Sequence, residues 1–492
     1  MSAVKNPTTS AAAEVSASST DEELAGPVIV NLDEGQTSVK RPLWRRVAGV
    51  FWDSVDGDPR DKRYIQKLDG FLFSYICLGY FIKYLDQTNI SNAFVSGMKE
   101  DLGLYGNERN WLNSYFNIGI LIGTVPSQII QLGFIRPSVW IPLCELTWSI
   151  LVMIMASAKN VETLYALRFF IGLLEAAAFP GYASLLGGWY GPRELNKRMA
   201  IFEQTSGIAA MFSGYLQAGL YKSLAGRNGL AGWQWLFIFD GIISIPIAVW
   251  GFFAIPDLPH TTRAFYWRND MVDGQQDKEY GIRRAERNGR VAPKKLTLRA
   301  VGGVFINWRL WAFILPYLMV AEAASGTNYF NLYLKAKGYS VVQTNVLPTA
   351  GNAISVVSAF LAGAIVDATG ARLSMTVLVQ TIVLVSNILL AVWHIPDSAR
   401  LAGYFLSYAG SAAQPIIISW GHHLNAADPT LRQLLVATGN IFTYSFSTWL
   451  PLVLFPTYDA PHYKYGYQTL ILFGGLGVIG AFLLKFLHER FG

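Results

Sequence analysis

The chain has 492 residues, of which 52% are hydrophobic and only 15% charged, with a formal net charge of +6. Soluble domains carry about a quarter charged residues, so the composition argues for a bilayer as solvent. The 2 cysteines, Cys77 and Cys144, both sit in apolar stretches, which leaves no basis for a disulfide framework, a thiolate metal site or another cofactor, and the basic residues are scattered through short connections rather than gathered on a nucleic-acid-binding stripe.

Residues 1–62 begin with Ser-, Thr- and Ala-rich runs that cannot bury enough apolar surface to fold, and they are expected to form a disordered cytoplasmic tail. Within the tail, 42–52 sets Trp44, Val47, Val50 and Phe51 near one face beside Arg45 and Arg46, a pattern that fits an interfacial helix or a plain loop equally well. A cleavable signal sequence is not expected, so the first membrane helix serves as its own signal. Runs of about 20 apolar residues are long enough to cross the hydrocarbon core. Twelve such runs start near Phe71, Trp111, Val139, Thr163, Met199, Trp233, Leu310, Thr344, Ser374, Leu401, Leu434 and Thr469. The longest polar interruption falls between the sixth and seventh. The predicted fold is therefore an all-α polytopic membrane protein with twelve transmembrane helices in two pseudo-symmetric six-helix bundles, over 63–256 and 308–492, joined by a cytoplasmic loop over 257–307. The turn after span eight, Gly363-x3-Asp367-x2-Gly370-x-Arg372, has a faint counterpart with Arg136 after span two, as an internal repeat requires. Lys and Arg in the short loops place both termini in the cytoplasm on balance.

An ionisable residue inside a span costs about 2.5–3.5 kcal/mol on insertion scales, so each needs a partner or a function. In span four, Arg168 and Glu175 are seven residues apart, hence on one face about 10 Å apart along the axis, with Gly172 between them where a helix or a ligand can approach closely. Arg168 offers a permanent planar fork for a carboxylate, and Glu175, taken out of water, is suited to bind and release a proton. An ion pair that merely fixes packing is the competing reading. Span one ends with Lys83, Tyr84, Leu85, Asp86, Gln87, Thr88 and Asn89, too polar to face lipid, which makes Asp86 a second candidate proton site with Lys83 and Gln87 beside it. Ser206 in span five, Asn328 and Asn331 in span seven, Gln414 in span ten and Asn440 in span eleven are candidate neutral contacts to a polar solute. Asp240 is a candidate gating or packing residue, as are Gly172, Gly363, Asp367, Gly370 and Arg372. Glu145 and Glu322 read as acids satisfied by neighbours, and His422-His423 as a solvated pair. No G-x4-G-K-S/T loop binds a nucleotide, so a gradient is the expected driving force.

Several motifs resemble the major facilitator superfamily, and within it the fungal anion:cation symporter (allantoate permease) family. They are Tyr84-Leu-Asp-Gln-Thr-Asn-Ile-Ser-Asn-Ala93, Arg168-x3-Gly172-x2-Glu175 with Pro180-Gly181, Gly232-Trp-Gln-Trp-Leu-Phe237, Pro256-Asp-Leu-Pro259 and Phe455-Pro-Thr-Tyr-Asp-Ala-Pro461. The stretch from Pro256 to Tyr266, with Tyr105-Gly-Asn107, is most similar to the pantothenate permease branch. The resemblance implies a monomeric, non-enzymatic plasma-membrane carrier that takes up a small organic anion, such as a pantothenate-like monocarboxylate, together with protons. By match it assigns proton binding to Asp86 and Glu175 and substrate charge to Arg168. Relatives usually carry arginine where Gln87 stands, and Gly421-His-His-Leu424 departs from the branch's wording. A proton-driven exporter of an organic acid or secondary metabolite, and a non-transporting nutrient receptor on the same fold, remain open at this point.

Overall fold

The computed structural model describes residues 59–257, 279–284, 298–392, 394–425, 429–463 and 465–491, with Thr262, Ala264 and Tyr266. The expected tail over 1–58, its 42–52 helix and most of 258–297 lie outside the described residues.

Helix starts and stops follow from local chemistry. Asn160 accepts from Thr163 N at 3.0 Å to begin one helix, Asn307 accepts from Arg309 N at 3.0 Å to begin another, and Ser340 with Gln343 forms a reciprocal capping box. Pro137 and Pro192 occupy first helical turns, where a missing N–H costs nothing. Gly370, at φ +68°, ends its helix in the left-handed conformation that glycine adopts without strain.

Twelve rods result among the described residues. They are α1 (Asp61–Asp101), α2 (Glu108–Gly133), α3 (Pro137–Met155), α4 (Val161–Trp189), α5 (Pro192–Leu224), α6 (Gly232–Ala254), α7 (Trp308–Ala336), α8 (Val341–Thr369), α9 (Arg372–Ala391), α10 (397–424), α11 (Pro429–Leu454) and α12 (Gly466–Phe491). A short helix, Leu298–Ile306, leads into α7. Four rods are interrupted, and they hold equivalent places in the two halves: α1, α4, α7 and α10. In α4 the helix breaks after Glu175, because Pro180 has no N–H to offer the Ala176 carbonyl. In α10, Pro415 does the same to Ser411, and the chain tightens over Tyr408–Ala412. In α1 the interruption is a wide turn over Phe94–Met98, with Gly97 at φ 114°. Broken helices at membrane depth are tolerated where they are covered by protein or line a cavity.

Within each half the rods pack tightly, α2 on α4 and α3 on α6 in the first, α7 and α9 on α12 in the second. Between the halves, α2 meets α11 and α5 meets α8. Eight rods among the described residues are long and apolar enough to span a membrane by composition, and α2, α5, α10 and α11 are not among them. Three of those four build the contact between halves, which explains their polarity. Pro451 and Pro456 leave the Ser447 and Leu452 carbonyls without their helical donors. Asn117 donates to Ser447 O at 3.1 Å and Asn107 to Leu452 O at 3.2 Å, while Ser114 donates to Thr448 O at 2.5 Å. Asn110 reaches Phe455 O at 2.6 Å and Pro451 O at 3.1 Å. On the other flank, the Cβ-free Gly214 lets Asn345 O and Thr349 of α8 approach α5, and Asn345 donates to Ser96 Oγ at 2.9 Å.

These cross-half bonds, together with Arg109 to Asn328 O (2.7 Å) and Lys335 to Glu100 (2.7 Å), gather at the end of the molecule opposite the chain termini. That end is therefore closed by a seam. At the opposite end, Arg198 binds Asp69 through two bonds of 2.7 and 2.6 Å, and Arg284 from the central segment pairs with Asp61 at 2.9 Å and with Glu194, docking that segment on the first half.

Candidate substrate and proton site

Five ionisable side chains meet inside the first half: Lys83 and Asp86 from α1, Arg168 and Glu175 from α4, and Asp240 from α6. Each is exposed by 3% or less, so the cluster is shut off from bulk water in this conformation. The positions follow from helix periodicity. Lys83 and Asp86 are three residues apart and Arg168 and Glu175 seven, so both pairs turn inward on single faces.

Arg168 lays its guanidinium over the Phe116 ring of α2, 4.2 Å from the centroid, and its Nε has no hydrogen-bond partner. The arginine is thus held by a ring face rather than fixed by a carboxylate, and its donors remain free for a ligand. Glu175 accepts from Gln87 Nε2 at 3.0 Å through one oxygen, and its other oxygen is unpartnered. Gln87 is a neutral donor to this carboxylate. A second cation is nonetheless present, since Lys83, one turn earlier, lies within electrostatic reach of Glu175.

Asp86 neighbours a second carboxyl, that of Asp240, and among the described residues no donor reaches either of its oxygens. Asp240 in turn accepts from Asn89 Nδ2 at 2.6 Å and sits beside Ser244 at 3.5 Å. Gly172 is pressed against the Phe116 carbonyl, so its missing side chain serves the α2–α4 packing and not the approach of a ligand.

Across from the cluster the second half presents neutral groups. Tyr317 donates to Asn440 Oδ1 at 2.6 Å and contacts Gln414, which brings three polar side chains of α7, α10 and α11 together. Tyr444 of α11 lies within electrostatic reach of Lys83 and Tyr84. Ser206 is half-buried on α5 and spends its hydroxyl on Glu203 O at 2.7 Å.

Other sequence candidates lie elsewhere. Asn331 donates to Asn92 at 3.0 Å within the closed seam, and Asn328, exposed, offers its carbonyl to Arg109. Both belong to the seam and not to the charged cluster. Gly363 and Asp367 lie on α8, with open space around Gly363. Arg372 lines a cavity of about 490 Å³ at the termini end of the second half, with Trp420, His423, Lys485 and His488. Glu145 is buried and accepts from Tyr75, with Tyr182 at 3.4 Å. Sequence reasoning missed Arg109, Tyr317 and Tyr444. A charge at a helix start reads as interfacial, and a tyrosine in an apolar run reads as core, so neither gave a usable signal.

Two pseudo-equivalent bundles meeting along polar seams, with charge buried inside the first of them, define a multi-pass membrane protein of the secondary-transporter class, with a small-molecule substrate and no enzymatic chemistry. The profile of the Major Facilitator Superfamily matches residues 76–428, and the chain belongs to that superfamily, in its pantothenate-permease-like branch. It is 36% identical over 432 residues to the MFS transporter PfmaC of Pestalotiopsis fici, covering 86% of this chain and 79% of that one. It is 32% identical over 453 residues to the pantothenate transporter liz1 of Schizosaccharomyces pombe, covering 91% and 86%. Among solved structures it superposes on a bacterial homologue of the lysosomal transporter Spinster, inward-facing and unoccupied, with a TM-score of 0.62 at 14% identity, over 89% of this chain and 98% of that one.

Proposed function

We propose that the protein carries a small organic anion of the pantothenate-like monocarboxylate class into the cell across the plasma membrane, together with protons, by alternating access. The termini then lie in the cytoplasm and the closed seam faces outside. The observation that carries this reading is the charge balance of the buried cluster. Its three carboxyls and two cations are net negative when all are ionised, and Arg168 keeps unpartnered donors. An anion that joins them adds to an excess negative charge in a medium where unpaired charge costs several kcal/mol. Only when two of the three carboxyls hold protons does the anion bring the site to neutrality. Solute and proton binding are thereby linked, and relatives named as pantothenate transporters support the choice of solute class.

The test is uptake of labelled pantothenate into cells lacking their own permease, at acid and neutral outside pH, with Glu175→Gln and Arg168→Ala alongside. Accumulation should rise toward acid pH, and both substitutions should abolish it. Uptake indifferent to pH and to both substitutions defeats the reading.

A further inference from the structure

Asp86 and Asp240 pose a question the charged cluster alone does not answer, because two neighbouring carboxyl groups are both buried. Neither can donate a hydrogen bond unless it is protonated, and two ionised carboxylates in contact cannot be held in a buried place. The donors around them tell the two apart. Asp240 receives Asn89 Nδ2 at 2.6 Å on one oxygen, while the Ser244 hydroxyl, 3.5 Å from the other, donates to the Asp240 backbone carbonyl. No donor reaches Asp86. The donor set favours Asp240 as the ionised partner and Asp86 as the one that carries a proton.

The bond from Asn89 is the last of a series that runs one way. Asn331 Nδ2 of α7 donates to Asn92 Oδ1 at 3.0 Å, Asn92 Nδ2 to Ser213 Oγ at 2.6 Å, Ser213 Oγ to Asn89 Oδ1 at 2.6 Å, and Asn89 to Asp240. Four successive donors are aligned toward one carboxylate, and Asn89, Asn92 and Ser213 are buried. Such chains polarise one another, so a change at the carboxylate is felt along the series. Its far end, Asn331, belongs to the second half and to the closed seam.

We propose that Asp86 and Asp240 form a carboxyl pair sharing a single proton, and that the hydrogen-bond chain from Asp240 to Asn331 ties this proton to closure of the seam. With the proton in place, Asp240 is a fixed acceptor and the chain is drawn tight across α1, α5, α6 and α7. Its loss sets two carboxylates against each other, drives Asp240 from its place and unseats the Asn92–Asn331 bond. The other charged groups facing the pair are Arg168 and Glu175 of α4, with Lys83 beside Glu175. None of them touches the chain itself. The proposal deepens the proton-coupled reading, on which it rests for the direction of transport alone.

Two measurements on the full chain in lipid nanodiscs test it without any solute. In infrared difference spectra of protein carrying 13C-labelled aspartate, a protonated aspartic acid band should be present. It should vanish in Asp86→Asn and in Asp240→Asn and persist in Glu175→Gln. In a background with Cys77 and Cys144 replaced by alanine, Ser447→Cys reports opening of the seam to an impermeant maleimide. Its labelling rate, divided by that of a free exposed thiol at the same pH so that the thiolate fraction cancels, should fall roughly tenfold as the medium is acidified, within the usual range of coupling between sites. Ser213→Ala, which cuts the chain and spares both carboxyls, should keep the aspartic acid band and lose the pH dependence of labelling. A band that survives Asp240→Asn, or a labelling rate that still follows pH in Ser213→Ala after division by the free-thiol rate, overturns the proposal, and the second arm decides if Asp240→Asn does not fold. Pantothenate uptake indifferent to pH, with both measurements as expected, would sink the transport reading and leave the carboxyl pair standing.

Discussion

Asn110→Ala tests how the closed end is held. The amide nitrogen of Asn110 has two hydrogens and three acceptors within reach, Phe455 O at 2.6 Å, Asn107 Oδ1 at 2.8 Å and Pro451 O at 3.1 Å, so at most two full bonds exist at once. The Pro451 carbonyl also receives Phe455 N at 3.1 Å, so truncation leaves it served, whereas Phe455 O loses its short donor. Each bond contributes about 0.5–1.5 kcal/mol net, and as Asn107 lies on the same side as Asn110, one or two of the lost bonds cross the seam, which weakens the closed state by about 0.5–3 kcal/mol. In the open state the same groups meet water, so the penalty falls on one conformation only. At 1.4 kcal/mol per tenfold, the population open at the distal end rises by roughly 2- to 150-fold. The assay is the labelling rate of Ser447→Cys by an impermeant maleimide, with melting temperature as the control for general damage. An unchanged labelling rate in a variant with normal melting refutes the assignment of the seam to α2 and α11.

Gly172→Ala places a methyl group against the Phe116 carbonyl, a backbone atom that cannot rotate away, and should cost about 1–3 kcal/mol of stability, read as a lower melting temperature. Phe116→Leu should keep the fold and remove the ring under Arg168, weakening solute binding by about 0.5–2 kcal/mol, seen as a higher KM for uptake. Arg284→Ala should free the central segment from Asp61 and Glu194, and limited proteolysis should then cut at 279–284 faster than in the parent protein. Lys335→Ala, at the solvent edge of the seam, should change the labelling rate by less than about fivefold, since an exposed ion pair contributes about 0–1 kcal/mol.

The number of rods and the inward turn of Arg168, Glu175 and Asp86 were legible because charge in an apolar run admits few readings, and helix periodicity then fixes the face. Asp240 was visible as an intramembrane acid, yet its partner was not. The two residues lie 154 positions apart, and only the packing of α1 on α6 brings them together. Gly172 could be read as room for a helix or for a ligand, and only the position of Phe116 decides for the helix. The seam was least legible. Its acceptors are backbone carbonyls of α11, which leave no side-chain signature, and the one sequence trace is the pair Pro451 and Pro456 whose missing N–H groups release Ser447 and Leu452. For the same reason Asn328 and Asn331 read as solute contacts, although they serve the seam.

The kinds of bond found in each place follow from what each place has to do. The charged cluster lies wholly on α1, α4 and α6, within one half, while Tyr317, Gln414, Asn440 and Tyr444 face it with neutral groups. Breaking a buried ion pair costs about 3–5 kcal/mol, and a carrier built with such pairs across its moving interface would stay locked. The moving interface instead uses amide and hydroxyl donors on α2 against free carbonyls on α11, each worth about 0.5–1.5 kcal/mol, with one buried guanidinium, that of Arg109, on the Asn328 carbonyl at about 1.5–3 kcal/mol. Among the described residues, its ion pair, Lys335–Glu100, lies at the exposed rim where water takes over either partner. A seam of this composition closes the molecule by a few kcal/mol only. That is the scale on which the differential binding of one proton or one solute molecule inverts a two-state population.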